Sequence, residues 1–352
     1  MNNLKVVCFL CLVLFLSILS CSGPSSGYLG ETCFNREDFK LSQTLVGRTV
    51  ELKDLVMKPS QIQVYDSLLI TYNQDAEKLF HLFNLNTGEK IGERISMGQG
   101  PKEMILPFFV NQKDSIKLFD MMTSTVYTYP IPEFVGNPDP EPVQSLTLSE
   151  KPLWSELCRL NEKYIGTSNQ PESPCWLFDE KGDKIATFGS YPRSEVTYTD
   201  LEIVDAFRAI LVTDRKDKVA VCHFFTDLID IYSGEGKLEK RLHGPDHFQT
   251  LFQEFKEEDR VGSKAVPGTY RDAFYSPVVG EDNFFVLYNG KMVEEPTYNL
   301  LAKEIFVIGW DGSLQCRYKL DQGVLRIAVD TVNKKIYGIS DDPEYHIVEF
   351  KY

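Results

Sequence analysis

Three groups of residues in this 352-residue chain have types and spacings that could do chemistry. The first is the stretch Ser96–Met104, SMGQGPKEM. Its backbone amides could cradle a phosphate, but such a loop needs a strand before it and a helix N-terminus behind it, because the helix amides and dipole hold the anion. Neither a helical pattern nor a Lys-Ser/Thr pair follows Gly100, so Gly98–Pro101 is read as a corner of the chain. The second group is His243 and His247 in HGPDH. Four residues apart on a helix they would face one metal ion, but Pro245 between them breaks a helix and removes the meaning of the spacing. His81, His223 and His346 are scattered, so neither a metal nor a cofactor is assigned. No GxSxG, HExxH, Walker or EF-hand pattern is present, and no catalytic residue is named.

The third group is four arginines, Arg159, Arg208, Arg271 and Arg326, in LCRL, FRAI, YRDAF and LRIA. Each lies at or near the start of a segment expected to be the innermost strand of a small sheet. If those strands surround a channel, four guanidinium groups would converge on one mouth, suited to bidentate capture of carboxylate or phosphate. The competing reading pairs each arginine with a neighbouring acid, such as Asp205 or Asp272, and makes it a tie between sheets. Aromatic residues offer a second recognition chemistry, stacking on sugar rings. Trp176 and Trp310 sit inside strand patterns and are expected to pack; Trp154, Tyr198 and Tyr270 are less constrained, and Tyr191, in a corner, is expected to be exposed.

The elements that must position these groups are short runs rich in Val, Ile, Phe, Tyr and Leu, bounded by Asp, Asn and Gly. One unit recurs. KLFHLFNLNTGEKIGERISMGQGP turns at Asn86–Gly88, CWLFDEKGDKIATFGSYP at Lys181–Gly182, LIDIYSGEGKLEKRLHGP at Glu235–Gly236, and EIFVIGWDGSLQCRYKL at Asp311–Gly312. In each, an apolar strand, a glycine hairpin and a more polar strand follow one another, and after the first three a Gly/Pro corner leads on. Repetition at this period means an array of small sheets. Inner strands are expected near 67–72, 108–112, 157–160, 206–212, 273–279 and 325–330, which predicts an all-β, six-bladed propeller. The last unit offers three strands only. Gly47–Asp54, GRTVELKD, alternates suitably to supply the fourth, so N- and C-terminal strands would close the ring in one blade and remove an exposed sheet edge. Within an insertion at 247–269, Phe248, Leu251, Phe252 and Phe255 have helical spacing and predict a short amphipathic helix over one face.

Residues 1–20 read as a signal peptide, with an apolar run from Val6 to Leu19 too short for a permanent membrane span. Ile18-Leu19-Ser20-Cys21 resembles a bacterial lipobox, making Cys21 the expected lipidation site and the N-terminal lipid the link to a membrane. Residues 21–46 are expected to be a tether and N-terminal extension, and 47–352 the propeller. The net charge of −14, which becomes −15 without Lys5, argues against nucleic acid as a partner. Cys33, Cys158, Cys175, Cys222 and Cys316 would remain after processing, an odd number with no CxxC spacing, so at least one thiol stays unpaired within the chain.

The corner GQGPKE behind FNLNTGEKIGERISM, the count of six units and the lipobox together resemble the TolB-like six-bladed propeller lipoproteins of Gram-negative bacteria, which are akin to NHL-type propellers. The resemblance covers about Gln61 to Tyr352. It implies a periplasmic or outer-membrane-anchored propeller that binds a ligand or protein, and it carries no catalytic residues over; with the lipobox, the expected location is the outer membrane of a Gram-negative bacterium, periplasmic or surface-facing. The expectation is therefore a binding module for an anionic small molecule, a glycan fragment or a protein, with Arg159, Arg208, Arg271, Arg326 and Tyr191 as its candidate contacts. A propeller hydrolase or lyase, or a structural subunit of an envelope complex, is the alternative.

Overall fold

The computed structural model describes residues 27–55, 58–110, 114–150, 156–257, 260–294 and 298–352. Cys21, Trp154, the signal peptide and the end of the expected strand 108–112 lie outside the described residues. Six antiparallel sheets stand in a ring. Blade 1 contains Gln61–Tyr65, Leu68–Tyr72, Lys78–Asn84 and Lys90–Met97. Blade 2 contains Pro107–Val110, Ser115–Asp120, Thr125–Pro130 and Gln144–Thr147. Blade 3 contains Leu157–Leu160, Lys163–Thr167, Cys175–Phe178 and Lys184–Phe188. Blade 4 contains Ala209–Thr213, Lys218–His223, Leu228–Ser233 and Leu238–His243. Blade 5 contains Phe274–Val279, Asn283–Tyr288, Ala302–Gly309 and Leu314–Val324. Blade 6 contains Arg326–Asp330, Lys335–Ser340, His346–Lys351 and, from the other end of the chain, Arg48–Val50.

The ring is visible in how apolar side chains are shared. Each pair of neighbouring blades encloses its own cluster: Phe80 of blade 1 with Leu118 of blade 2, Phe119 with Trp176, Leu177 with Val221, Ile231 with Phe284, and Phe285 with Phe350. Ile62 and Phe83 of blade 1 meet Tyr337 and Ile347 of blade 6, which completes the circle. A sheet buried on both faces in this way has near-continuous apolar strands, which explains why the middle strands are the legible part of each unit.

Closure in blade 6 follows the sequence expectation, with Val50 opposite Ile347, Thr49 opposite Val348 and Arg48 opposite Glu349. The hairpin glycines also fall where they were expected: Gly88, Gly182, Gly236 and Gly312 all have positive φ. Gly88 is needed twice over, since a Cβ there would also collide with the Glu51 carbonyl.

Four expectations are corrected. In blade 1 the innermost strand is Gln61–Tyr65, not 67–72; LLITY is apolar at most positions because it is covered on both sides, whereas QIQVY turns Gln61 and Gln63 to the channel. In blade 4 the inner strand begins at Ala209, because 206 ends a helix, Asp200–Ala206, started by Thr199 and Glu202 in a reciprocal capping box. The insertion forms a hairpin, Phe252–Glu257 with Arg260–Ala265, in place of a helix. The helical spacing of its aromatics is met otherwise: Phe252 packs on Phe225 at 5.5 Å and Phe255 lies over Gly262 beneath Lys264. Finally, the propeller is wider than 47–352, since Glu31–Cys33 and Leu41–Leu45 add as parallel fifth strands to the outer edges of blades 4 and 5.

Candidate functional site

The inner strands of consecutive blades contact one another around the circle and enclose a channel. At the end where these strands start, the channel opens into a cavity of about 320 Å³. Gln61, Phe108, Glu156, Ser276 and Arg326 line it, one from each of five blades. Gln61 is committed to structure: its Nε2 donates to Pro107 O (3.2 Å) and its Oε1 accepts from Phe109 N (3.1 Å), tying blade 1 to blade 2. Ser276 sits in a bulge of the blade 5 inner strand at φ 51°, and its Oγ accepts from Ile327 N (3.0 Å). Bulges and left-handed residues of this kind re-aim a strand at the expense of local strain, and they concentrate at sites.

Arg326 and Glu156 carry the electrostatics of this mouth. Arg326 opens the blade 6 inner strand, is half-buried, and donates from Nη1 to Leu325 O at 2.8 Å. Among the described residues no carboxylate lies within ion-pair distance of it. Glu156, immediately before the blade 3 inner strand, has its carboxyl pushed up to about 8 by burial, with the Arg326 charge pulling the other way. Burial in turn lowers the Arg326 guanidinium, which stays charged at neutral pH. At neutral pH Glu156 therefore holds its proton for much of the time, and the Arg326 charge is left without a full counter-charge.

The other three arginines do not join Arg326. Arg159 is the third residue of its strand, and points to the opposite, hairpin end of the blade, where it donates to Asn161 O (2.7 Å) and pairs with Glu162 (3.1 Å). Arg208 precedes its strand, is largely exposed, and pairs with Asp205 at 2.7 Å, as the competing reading expected. Arg271 lies over the Phe248 ring at 5.4 Å with Nε 3.0 Å from Met292 Sδ; the neighbouring Asp272 instead accepts from the Tyr298 hydroxyl. The four-arginine mouth is not formed, because one register step along a strand or a residue before its start changes which surface a side chain reaches.

Two of the expected contacts do come together elsewhere on the same face. Tyr191 and Arg208 share a cavity of about 380 Å³ between blades 3 and 4, beside the helix Asp200–Ala206. Tyr191 is half-buried rather than exposed, its hydroxyl donating to Gln170 O at 2.9 Å. Trp176 is buried with the Lys184 ammonium 3.2 Å from its ring centre, and Trp310 packs on Phe284, as their strand positions predicted. Tyr198 and Tyr270 are engaged with Gln249 and Phe225. The loop at Gly98–Pro101 is a blade-to-blade corner, and its anion is internal: the Glu103 carboxylate accepts from Gly100 N at 2.8 Å. Glu156, Gln61 and Ser276 were missed by the sequence reading. The one available signal was Glu156 in SELCRL, an acid directly before an apolar inner strand.

Two solved structures share the architecture at low identity. A Bacteroides fragilis protein described as a candidate exported protein superposes with a TM-score of 0.55 at 12% identity, covering 91% of this chain and 99% of its own. A DUF4221-family protein of Bacteroides vulgatus gives 0.51 at 8%, covering 92% and 98%. No curated protein sequence matches the chain. Residues 38–332 match the family model described as TolB-like 6-blade propeller-like, and with six blades closed in one ring the chain belongs to that TolB-like family.

Proposed function

We propose that this protein is a lipid-anchored binding module of the cell envelope that captures a small anionic ligand, such as an acidic sugar fragment, at the strand-start mouth of the propeller channel. The observation that carries this reading is Arg326: a half-buried guanidinium facing a cavity of about 320 Å³ without an ion-pair partner among the described residues. A carboxylate entering there gains charge-assisted hydrogen bonds in a partly desolvated setting. Protonated Glu156 can donate a further one. An enzyme reading would need two carboxylates or several histidines meeting in the channel; among the described lining residues this mouth holds Glu156 alone of those types. Export is supported by the apolar N-terminal run and by Cys21 in its lipobox-like setting, and it agrees with the description of the Bacteroides fragilis fold neighbour as a candidate exported protein. On this reading a lipid on Cys21 would hold the protein at the outer membrane.

The test is calorimetric titration with glucuronate and with inorganic phosphate. Arg326→Gln should abolish binding, while Arg208→Ala, in the separate cavity, should leave it unchanged. The reverse pattern would move the site to blades 3 and 4, and no heat with either probe would refute an anion site. Metabolic labelling with palmitate tests the anchor, which Cys21→Ala should remove.

A further inference from the structure

The parallel pairing of Glu31–Cys33 with the outer strand of blade 4 sets Cys33 beside His243 and Glu31 beside Arg241. Residues two apart on a strand share a face, so Glu31 and Cys33 both reach the same imidazole. His243 Nδ1 lies 2.9 Å from Glu31 Oε2, and Cys33 Sγ lies 3.6 Å from Glu31 Oε1. One donor atom from each residue falls within 4.8 Å of the others. With metal–donor bonds of about 2.0–2.3 Å, tetrahedral zinc separates its ligand atoms by roughly 3.3–3.6 Å. Closing these three groups on one ion thus takes side-chain adjustments on the order of an ångström.

The far side of the imidazole makes this more than a cluster of donors. His243 is 1% exposed, and its Nε2 is 3.2 Å from Oδ1 of Asp227, which is fully buried. Asp227 is itself fixed by the backbone amides of Asp246 (2.9 Å), His247 (2.8 Å) and Phe248 (2.9 Å). A buried carboxylate behind the second ring nitrogen is the arrangement that orients metal-bound histidines and selects their tautomer. With the ring proton on Nε2, toward Asp227 at 3.2 Å, the Nδ1 lone pair faces the Glu31 carboxylate at 2.9 Å with the Cys33 thiol beside it, and a cation between nitrogen and carboxylate, a proton or a metal ion, relieves that contact. Cys33 is exposed, so solvent reaches the remaining side of the site.

We propose that Glu31, Cys33 and His243 bind one zinc-class divalent cation, with a water as the fourth ligand and Asp227 orienting the imidazole. A thiolate and an imidazole favour zinc over magnesium or calcium. The ion would clip the N-terminal extension to blade 4, at the point where the chain leaves the ring. There it would add to a ladder in which Phe34 N donates to His243 O and Arg241 Nη1 to Leu29 O, and to the burial of Tyr28 beside Phe207 and of Phe34 beside Phe306.

The experiment is titration of the reduced, chelator-stripped protein with Zn²⁺ by calorimetry and with Co²⁺ by absorption. One ion per chain and a thiolate-to-cobalt charge-transfer band are expected. Cys33→Ser, at an exposed position where folding is not at stake, should remove the band and weaken Zn²⁺ binding by at least about tenfold. His243→Gln should do the same, checked for fold by circular dichroism. Substoichiometric binding, or a band and affinity that survive Cys33→Ser, would overturn the proposal. The other described cysteines are buried, so none of them can supply the band in its place.

Discussion

The strand Leu41–Leu45 leads into the strand that closes the ring, and its stability rests on one side chain. Leu45 is 1% exposed and belongs to the cluster between blades 5 and 6, with Leu320, Val348 and Phe350; Leu41, at the other end of the same strand, is 54% exposed. Backbone pairing is common to both positions, since Leu41 lies opposite Cys316 and Leu45 opposite Leu320. Leu45→Ala therefore removes buried methyl groups and leaves a cavity, which costs roughly 2–5 kcal/mol, whereas Leu41→Ala should stay within about 0.5 kcal/mol. Unfolding entropy of about 2.1 cal/mol/K per residue makes the total near 0.7 kcal/mol/K for a chain of this length, so a loss of ~3 kcal/mol lowers Tm by about 4 °C. Scanning calorimetry reads the shift. Hydrogen exchange reads the mechanism, because the amides of Arg48–Val50 should lose protection in Leu45→Ala before those of blades 2 and 3 do. Equal melting temperatures for the two variants would refute the claim that this side chain anchors the latch.

Three further outcomes are expected. Asp230→Asn should cost about 3–5 kcal/mol in urea unfolding, because it strips the counter-charge from buried Arg241, held at 2.7 Å through both Nε and Nη2; Asp230→Leu combined with Arg241→Met should recover much of that loss. Glu103→Ala should cost about 1 kcal/mol by freeing Gly100 N–H, and any rise in melting temperature with added phosphate should be the same in both proteins, because it comes from the channel mouth; a phosphate-dependent gain that Gly98→Ala removes and Arg326→Gln does not would support a phosphate loop instead. Glu156 has a folded-state carboxyl near 8 against an ordinary value of 4.5, so the folded protein keeps a proton that the unfolded chain releases. Its stabilising contribution is complete below about pH 4.5 and is lost as pH rises toward 8; Glu156→Gln should flatten the stability profile over that window, and an unchanged profile would mean that the carboxyl is solvated.

Period-two alternation and hairpin glycines made the blades legible, since both follow from local backbone geometry and from burial on two faces. Gly47–Asp54 was legible for a different reason: the last unit was one strand short, and GRTVELKD was the alternating segment left over. Side-chain direction at the ends of strands was not legible. Arg159 and Arg326 both lie in inner strands, yet Arg326 is the first residue and faces the start-side mouth, while Arg159 is the third and reaches the hairpin end. A shift of one or two residues in an estimated strand start is within the error of any reading from pattern, and it is enough to move a guanidinium from one end of the channel to the other. Helical spacing misled at 247–269 because it scores one segment alone, while the β-prone RVGSKAV behind it offered a partner strand.

The parallel edge strands left no pattern at all, and that is why the Glu31–Cys33–His243 cluster was invisible. Only Leu45 is buried among Leu41–Leu45, and Glu31–Cys33 shows no alternation, because strand addition at an outer edge is held by main-chain hydrogen bonds that any residue can make. The chain thus solves an edge problem with backbone, covering blades 4 and 5 where an unpaired strand would invite association. That leaves the side chains of the added strand free to vary. On blade 4 the free positions carry a carboxylate and a thiol beside a histidine more than 200 residues away. The spacing of His243 to His247 makes a metal pair only on a helix, which Pro245 forbids. The partners of His243 come from the N-terminal extension, and no local spacing rule reaches that far. The two proposed sites therefore depend on different parts of the molecule: the channel mouth on ring closure by six blades, the edge site on augmentation of one of them. A variant that disables either should leave the other intact.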